Sequence, residues 1–139
     1  MQRVVIDTNV VFEGLTRQSG APGLIVDAWL SGLLDVRVSN ALAYEYTDVL
    51  MRHLSVARWE RIRPVFAALL SNVTFVSVYY TWRPTWPDRG DEHVIDCAMN
   101  AGATIVTLNL KDFKNASANL GLRVVSPVEL VARLAAALR

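Results

Sequence analysis

Four acidic residues, far apart in the chain, together have the right chemistry for metal-assisted hydrolysis. The four residues are Asp7, Glu45, Asp91 and Asp112. Carboxylates that converge without matching cations repel one another, and a bound divalent ion is the usual resolution. Ligands that are all oxygen favour Mg²⁺ or Mn²⁺ over zinc. Such an ion activates water for in-line attack on a phosphodiester. The question is therefore whether the fold brings these four residues together.

The elements that would position them alternate between strand and helix. Short apolar runs predict strands at 4–6, 36–39, 73–78, 104–108 and 123–125. Helical spacing and capping residues predict helices at 22–32, 41–54, 56–71, 91–102 and from 127 onward. Residues 10–20 are expected to be a loop with room for a short helical turn, and Pro64 to kink its helix or split it in two. The alternation predicts right-handed βαβ units and an α/β/α sandwich around a parallel sheet, in one domain covering 1–139.

Two of the predicted strands end in polar residues. Asp7 follows the first strand, and Asn109 and Asp112 follow the fourth. The carboxyl ends of parallel strands lie on one side of a sheet, so these residues become neighbours if strands one and four pair at a topological switch point. A lone acidic residue at a strand end often does no more than start a turn, and that alternative applies to Asp7.

The predicted helix 91–102 can be tested by its period of about 100° per residue. Asp91 projects onto the apolar stripe that contains Val94, Ile95 and Ala98, so it is expected to point at the sheet. Asp96 projects onto the opposite face and is expected to be solvated, without a direct role. Asp91 could equally serve as a plain N-cap, which suits the helix dipole.

Glu45 lies at the border of the apolar stripe of helix 41–54, one turn before Val49. Ionised carboxylates rarely face a core unless they are paired or bound to metal. The alternative is an exposed glutamate in the first turns of the helix. His53 lies on the same stripe and is expected to pack rather than to act.

Composition restricts the class of protein. The chain has 139 residues, of which 53% are hydrophobic and 19% charged, as is typical of a globular domain. The apolar runs are too short for a membrane span, and no secretory signal is expected. A single cysteine, Cys97, excludes an intramolecular disulfide and a cysteine zinc cluster, so a cytoplasmic location is expected.

A cluster of basic residues follows residue 51, although the net charge of the chain is only +1. Its arginines are Arg52, Arg58, Arg61 and Arg63. They are candidates for contacts to the phosphates of a nucleic acid, and the alternative is the solvated face of a helix. Trp82 and Trp86 could stack on bases or pack under a loop.

The ordered set of these segments resembles the PIN domain family. The resemblance rests on Ile6-Asp7-Thr8-Asn9-Val10, on Ser39 with Glu45 six residues later, on Asp91 eleven residues before Gly102, and on Ile105-Val106-Thr107 leading to Asn109 and Asp112-Phe113. Within that family the chain looks like the VapC-like toxin ribonucleases of bacterial toxin–antitoxin systems. The match extends from Val4 to the last helix.

The resemblance implies a five-stranded parallel sheet, an endoribonuclease dependent on Mg²⁺ or Mn²⁺, a homodimer, and inhibition by an antitoxin protein. The acidic residues of the family correspond to Asp7, Glu45, Asp91 and Asp112. Thr8, Asn9, Thr107 and Asn109 would support them, with Asn9 orienting the first carboxylate. Many relatives carry an acid at the position of Asn109, so either Asp112 or Asn109 completes the metal site, and some carry an acid at the position of Asp96.

Other classes of protein that place an aspartate at a strand end fit less well. A phosphoaspartate enzyme of the haloacid-dehalogenase type needs a second aspartate where this chain has Asn9. A receiver domain needs an aspartate at the end of its third strand, where this chain has Val78-Tyr79-Tyr80. The remaining alternative is a PIN fold that binds RNA or protein with weak or lost nuclease activity.

Overall fold

The computed structural model describes residues 1–17, 19–81 and 90–138, and within those ranges it shows an α/β/α sandwich. The strands are β1 (Arg3–Ile6), β2 (Asp35–Val38), β3 (Thr74–Phe75), β4 (Thr104–Val106) and β5 (Val124–Val125). The helices are α1 (Thr8–Arg17), α2 (Gly20–Leu30), α3 (Asn40–His53), α4 (Val56–Ser71), α5 (Gly90–Ala101), α6 (Lys114–Leu120) and α7 (Pro127–Ala137), with a 3₁₀ turn at Leu110–Phe113.

The five strands form one parallel sheet in the order β3-β2-β1-β4-β5. Strands β1 and β4 pair with Val4 opposite Thr104 and Ile6 opposite Val106, so both strands end at the same level. The chain reverses its direction of winding between β1 and β4, as predicted. This pairing is the topological switch point at which open α/β sheets bind their ligands.

Helices cover both faces of the sheet. Helix α5 packs against β1, β2 and β4 and against α3, whereas α1 contacts α2, α3 and α4, and α2 contacts α7. The side chains of the central strand β1 at Val4, Val5 and Ile6 are fully buried. None of the helices in the described ranges is long and apolar enough to cross a membrane.

Local signals in the sequence explain several helix ends. Ser39 accepts a hydrogen bond from the Leu42 N–H at 3.1 Å and so caps α3, and Ser126 with Glu129 forms a capping box at the start of α7. Gly14 allows α1 and α2 to touch, because a Cβ atom there would lie 2.5 Å from the Val26 side chain.

Three sequence-based expectations about elements are wrong. Residues 8–17 form the regular helix α1, because Val10, Val11 and Leu15 recur on one buried face. Helix α4 runs from Val56 to Ser71, so Pro64 does not split it in two, while the alternative of a kink stays a prediction: Pro64 removes one backbone donor on the exposed side, and the packing of Phe66 and other apolar side chains holds the helix together. Strand β3 contains only Thr74–Phe75, since it is an edge strand and its partner β2 ends at Val38.

Candidate active site

The carboxylate of Asp7 is fixed at the end of β1 by hydrogen bonds to both of its oxygens. The backbone N–H of Asp7 donates to the Val106 carbonyl at 2.9 Å, which places Asp7 beside the residue that follows β4. That residue, Thr107, donates its hydroxyl to Asp7 Oδ2 at 2.7 Å, and the Thr8 N–H donates to Oδ1 at 2.8 Å. Asp7 also starts α1, because the Val10 N–H donates to its carbonyl at 3.0 Å.

Asp7 is only 7% exposed, and its ionisation is disfavoured. Burial raises the pKa of Asp7 from 3.8 to about 6, although the hydrogen bonds from Thr107 and Thr8 oppose the rise. The negative charges of Glu45 and Asp112 raise it further. A cation placed among these three carboxylates would remove the repulsion.

Helix α3 brings Glu45 to the same place. The Thr8 hydroxyl donates to Glu45 Oε2 at 2.6 Å, and Glu45 is half-buried. The neighbouring residue Tyr46 is fully buried, and its hydroxyl donates to the Ile6 carbonyl. Burial raises the pKa of Tyr46 well above its usual range, so the phenol stays neutral and acts as a donor. Adjacent residues of α3 are thus tied to the end of β1.

The loop after β4 is held by Asn9 and Thr107. Asn9 Oδ1 accepts a hydrogen bond from the Leu108 N–H at 3.3 Å, and the Asn109 N–H donates to the Thr107 hydroxyl at 3.0 Å. The Asp112 N–H then donates to the Asn109 carbonyl at 3.1 Å. The resemblance implied that Asn9 orients Asp7, but the hydrogen bonds to that carboxylate come from Thr8 and Thr107.

These residues surround one cavity of about 630 Å³, here called the carboxylate cavity. All four predicted acidic residues line it. The complete lining is Asp7, Thr8, Asn9, Phe12, Glu13, Glu45, Val49, Arg52, His53, Asp91, Leu108, Asn109 and Asp112. Five carboxylates therefore face two basic side chains, which leaves the cavity with an excess of negative charge.

The prediction that Asp91 points inward agrees with its place in this lining, but the prediction that Asp96 is solvated is wrong. Asp91 is 7% exposed and Asp96 only 4%. The helical projection assumed that α5 is covered on one face. The segment after β3 returns to the other face: Asn100, one turn beyond Asp96, accepts hydrogen bonds from the N–H groups of Tyr79 and Tyr80. The residues that line the carboxylate cavity include Asp91 and do not include Asp96.

The donor set fits a hard divalent cation. Across residues 1–17, 19–81 and 90–138, no three His, Cys, Asp or Glu side chains lie close enough to ligate one metal ion together. Mg²⁺ does not require such a closed cage, because it keeps several water molecules and is bound through one or two carboxylates plus substrate phosphates. The excess of carboxylates and the raised pKa of Asp7 both favour a cation in this cavity.

Comparison with known proteins identifies the family. The family model described as "PIN domain" matches residues 3–111 of this chain, which include all of the strands β1 to β4. The chain belongs to the PIN domain family. A search of curated protein sequences found no significant match.

Solved structures with the same fold include two VapBC structures. The chain is similar to VapBC2 from Rickettsia felis, which was solved with a DNA fragment from its promoter (TM-score 0.65, 13% identity, 90% of this chain and 98% of that chain covered). It is also similar to VapBC-1 from nontypeable Haemophilus influenzae (0.62, 16%, 91% and 99%) and to PAE2754 from Pyrobaculum aerophilum (0.57, 15%, 97% and 90%). At these identities the likeness shows the PIN fold alone.

The basic cluster of this PIN domain does not form one surface. Arg52 lines the carboxylate cavity and pairs with Asp48 at 2.9 Å. Arg58 and Arg61 instead line a second cavity of about 490 Å³ between α1, α2 and α4, here called the arginine cavity. Arg63 pairs with the neighbouring Glu60 at 3.3 Å. Trp82 and Trp86 lie outside the described residues.

Sequence reasoning missed four cavity residues, Phe12, Glu13, Val49 and Leu108, and misjudged His53. Phe12 and Glu13 went unnoticed because residues 10–20 were expected to be a loop, and Val49 was assigned only to the core. One signal in the sequence could have found two of them. Phe12 follows Thr8 by four residues and Glu13 follows Asn9 by four, so in a helix each pair lies on the same face. His53 was expected to pack, yet it is exposed and lines the carboxylate cavity.

Proposed function

We propose that this PIN domain is the toxin of a bacterial toxin–antitoxin pair, a cytoplasmic endoribonuclease that hydrolyses RNA phosphodiester bonds with Mg²⁺ or Mn²⁺. The observation that supports it is the convergence of Asp7, Glu45, Asp91 and Asp112 on one cavity at the switch point of the sheet. Two similar structures are VapBC complexes, which favours an antitoxin protein as partner. A homodimer is part of the proposal.

The residues of the cavity have distinct tasks in this proposal. When bound, the divalent ion would activate water and stabilise the charge that develops on the phosphate. Asp7 and Glu45 would hold it from one side, because the Thr8 backbone and side chain fix both carboxylates. Asp91 on α5 and Asp112 in the loop after β4 would hold it through its bound water molecules, because no three of these four carboxylates lie close enough to ligate one ion together. Thr107 would keep Asp7 oriented, and Arg52 would contact the RNA backbone.

The direct test is cleavage of single-stranded RNA by the purified chain with Mg²⁺, with Mn²⁺ and with a chelator. We expect cleavage that requires the metal and that Asp7→Asn lowers by roughly a hundredfold or more, since this variant removes the charge at the centre of the cavity. Asp35→Asn is the matched control, because it removes a carboxylate at the opposite end of the strands. Equal activity of Asp7→Asn and wild type would contradict the proposal.

A second candidate function is an RNA-binding or protein-binding module with weak or lost nuclease activity. The observation that favours it is that no three carboxylates among the described residues form a ready metal cluster, together with an amide at Asn109. RNA binding without cleavage under either metal, unchanged in Asp7→Asn, would support this second function.

The partner and the oligomeric state need separate tests. Expression of the chain alone in a bacterium should arrest growth, and Asp7→Asn should relieve the arrest if RNA cleavage causes it. Light scattering should give twice the chain mass of 15.4 kDa. A purified wild-type chain that is monomeric, or an arrest that persists with Asp7→Asn, would contradict these parts of the proposal.

A further inference from the structure

The carboxylate cavity has a second end that the hydrolytic chemistry does not use. On α1, Thr8 and Asn9 face the carboxylates, and Phe12 and Glu13 line the cavity one turn further along. On α3, Glu45 is followed after one turn by Val49 and after two by His53. His53 lies eight positions after Glu45, which corresponds to about 12 Å along the helix axis. The cavity therefore continues from an acidic end to an aromatic end.

Two rings form that aromatic end. The centroids of Phe12 and His53 are 5.9 Å apart, and the rings meet edge to face at 77°. Phe12 is half-buried and packs against the core, whereas His53 is exposed in the last turn of α3. The core thus fixes Phe12, and Phe12 holds the imidazole in place. The remaining surface of His53 stays open to the cavity.

The guanidinium of Arg52 shares the cavity lining with these rings. Arg52 precedes His53, lines the same cavity, and is 62% exposed while it pairs with Asp48. An aromatic surface next to a guanidinium provides the two features by which proteins hold single-stranded nucleic acid: stacking on a base and a contact to the backbone.

We propose that Phe12 and His53 form a seat for an unpaired nucleobase that flanks the reacting phosphate, with Arg52 on the adjoining phosphate. The inference rests on the proposed ribonuclease function and names the residues that would hold one base of the single-stranded substrate next to the cut. A base inside a duplex has both faces stacked on its neighbours, so it cannot occupy the seat. The seat would bind any of the four bases without distinguishing them, because stacking uses the π-face that every base has.

The test combines substitutions in the protein with removal of single bases from the RNA and measures the Kd of each combination. Fluorescence anisotropy measures the Kd of a short single-stranded RNA, with Ca²⁺ in place of Mg²⁺ to limit cleavage, for wild type, His53→Ala and His53→Phe. Each is titrated with the intact RNA and with versions in which one base at a time is removed. We expect His53→Ala to weaken binding of intact RNA about tenfold and His53→Phe to stay within about twofold of wild type.

The decisive readout is the coupling between residue and base. At one abasic position the loss caused by His53→Ala should vanish, because the seat is then empty in both proteins. Equal loss at every abasic position, or His53→Phe as weak as His53→Ala, would overturn the seat. A merely structural role of His53 would give equal loss at every position.

The same samples separate this inference from the proposed function. Wild type that cleaves RNA with Mg²⁺ but shows no coupling would refute the seat and leave the nuclease standing. Coupling without cleavage would keep the seat and refute the nuclease. Wild type that neither binds nor cleaves RNA would refute both.

Discussion

The carboxylate of Asp7 accepts two hydrogen bonds, yet burial still raises its pKa to about 6. In the unfolded chain the same group has an ordinary pKa near 3.8. The folded protein therefore binds the proton more tightly, and ionised Asp7 opposes folding. The cost is fully present above about pH 6, shrinks as the pH falls through 6, and is gone below 3.8. Binding of a cation would offset it.

We predict that Asp7→Asn makes the metal-free protein more stable at neutral pH. The gain should be about 1–3 kcal/mol in the free energy of unfolding at pH 7.5 and should shrink toward pH 4.5, where wild-type Asp7 is protonated. Urea unfolding of both proteins in chelator at several pH values measures the difference. A variant less stable than wild type at pH 7.5 would contradict the prediction.

Asp35 gives a control of opposite sign. Hydrogen bonding to Arg37 lowers the pKa of Asp35, so its stabilising effect is present at neutral pH and is lost as the pH falls through the folded pKa. Asp35→Asn should therefore destabilise the protein at pH 7.5 and less so in acid. If both variants show the same pH trend, the difference does not come from these two carboxylates.

Cys97 supplies a second prediction about a single residue. Burial raises the pKa of its thiol to about 11, and the side chain is fully buried between α5, on which it lies, and strand β2. The thiolate is the reactive form, so we expect the native protein to react with a disulfide reagent at pH 8 at least roughly a hundredfold more slowly than the denatured protein. Rapid reaction of the native thiol would show that α5 opens readily.

The sequence predicted the position of some side chains of the site correctly and of others wrongly. The helical period placed Asp91 correctly, because its neighbours on the same face are apolar. It failed for Asp96, which is buried, since the local pattern does not show that the chain after β3 returns to the far side of α5, where Tyr79 and Tyr80 donate hydrogen bonds to Asn100. The helical period also misplaced His53. The apolar stripe of α3 continues into the last turn of the helix, but the core does not extend that far, so His53 is exposed.

Among elements, the sequence predicted those whose signals are local. The strand β1, the Ser39 cap of α3 and the capping box of α7 lie where their patterns indicate. The extent of β3 depends on the length of its partner strand, and the continuity of α4 depends on packing that outweighs Pro64. Such tertiary effects are not contained in the local pattern.

A prediction at this scale concerns the helix caps. Ser39 is buried and caps α3, which carries Glu45 and His53, whereas Ser55 is exposed and caps α4 in the same way. Loss of a buried acceptor leaves the Leu42 N–H without a partner or water, so we expect Ser39→Ala to cost about 1–2 kcal/mol and Ser55→Ala about 0.5–1 kcal/mol. Chemical denaturation of both variants measures the costs. Equal costs would mean that burial of the cap has no effect.

Across the whole molecule, charge is arranged by region although the net charge is only +1. The carboxylate cavity has an acidic lining, while the arginine cavity has two guanidiniums and a single carboxylate, that of Asp27. An RNA backbone is repelled by the first cavity unless a cation is bound there. The second cavity attracts it without one. The two surfaces should therefore differ in how they respond to metal and to salt.

This difference leads to a prediction about binding of RNA. Replacing both Arg58 and Arg61 by Glu should weaken binding strongly at low salt and weakly at high salt, because each lost phosphate contact lowers the slope of log K against log salt by about one. Arg63→Glu is the control, since Arg63 already pairs with Glu60 and lies outside the lining of the arginine cavity. Anisotropy titrations of a short RNA in Ca²⁺ over a range of NaCl concentrations measure the slopes. An unchanged slope in the double variant, or an equal change in Arg63→Glu, would mean that the arginine cavity does not contact the RNA backbone.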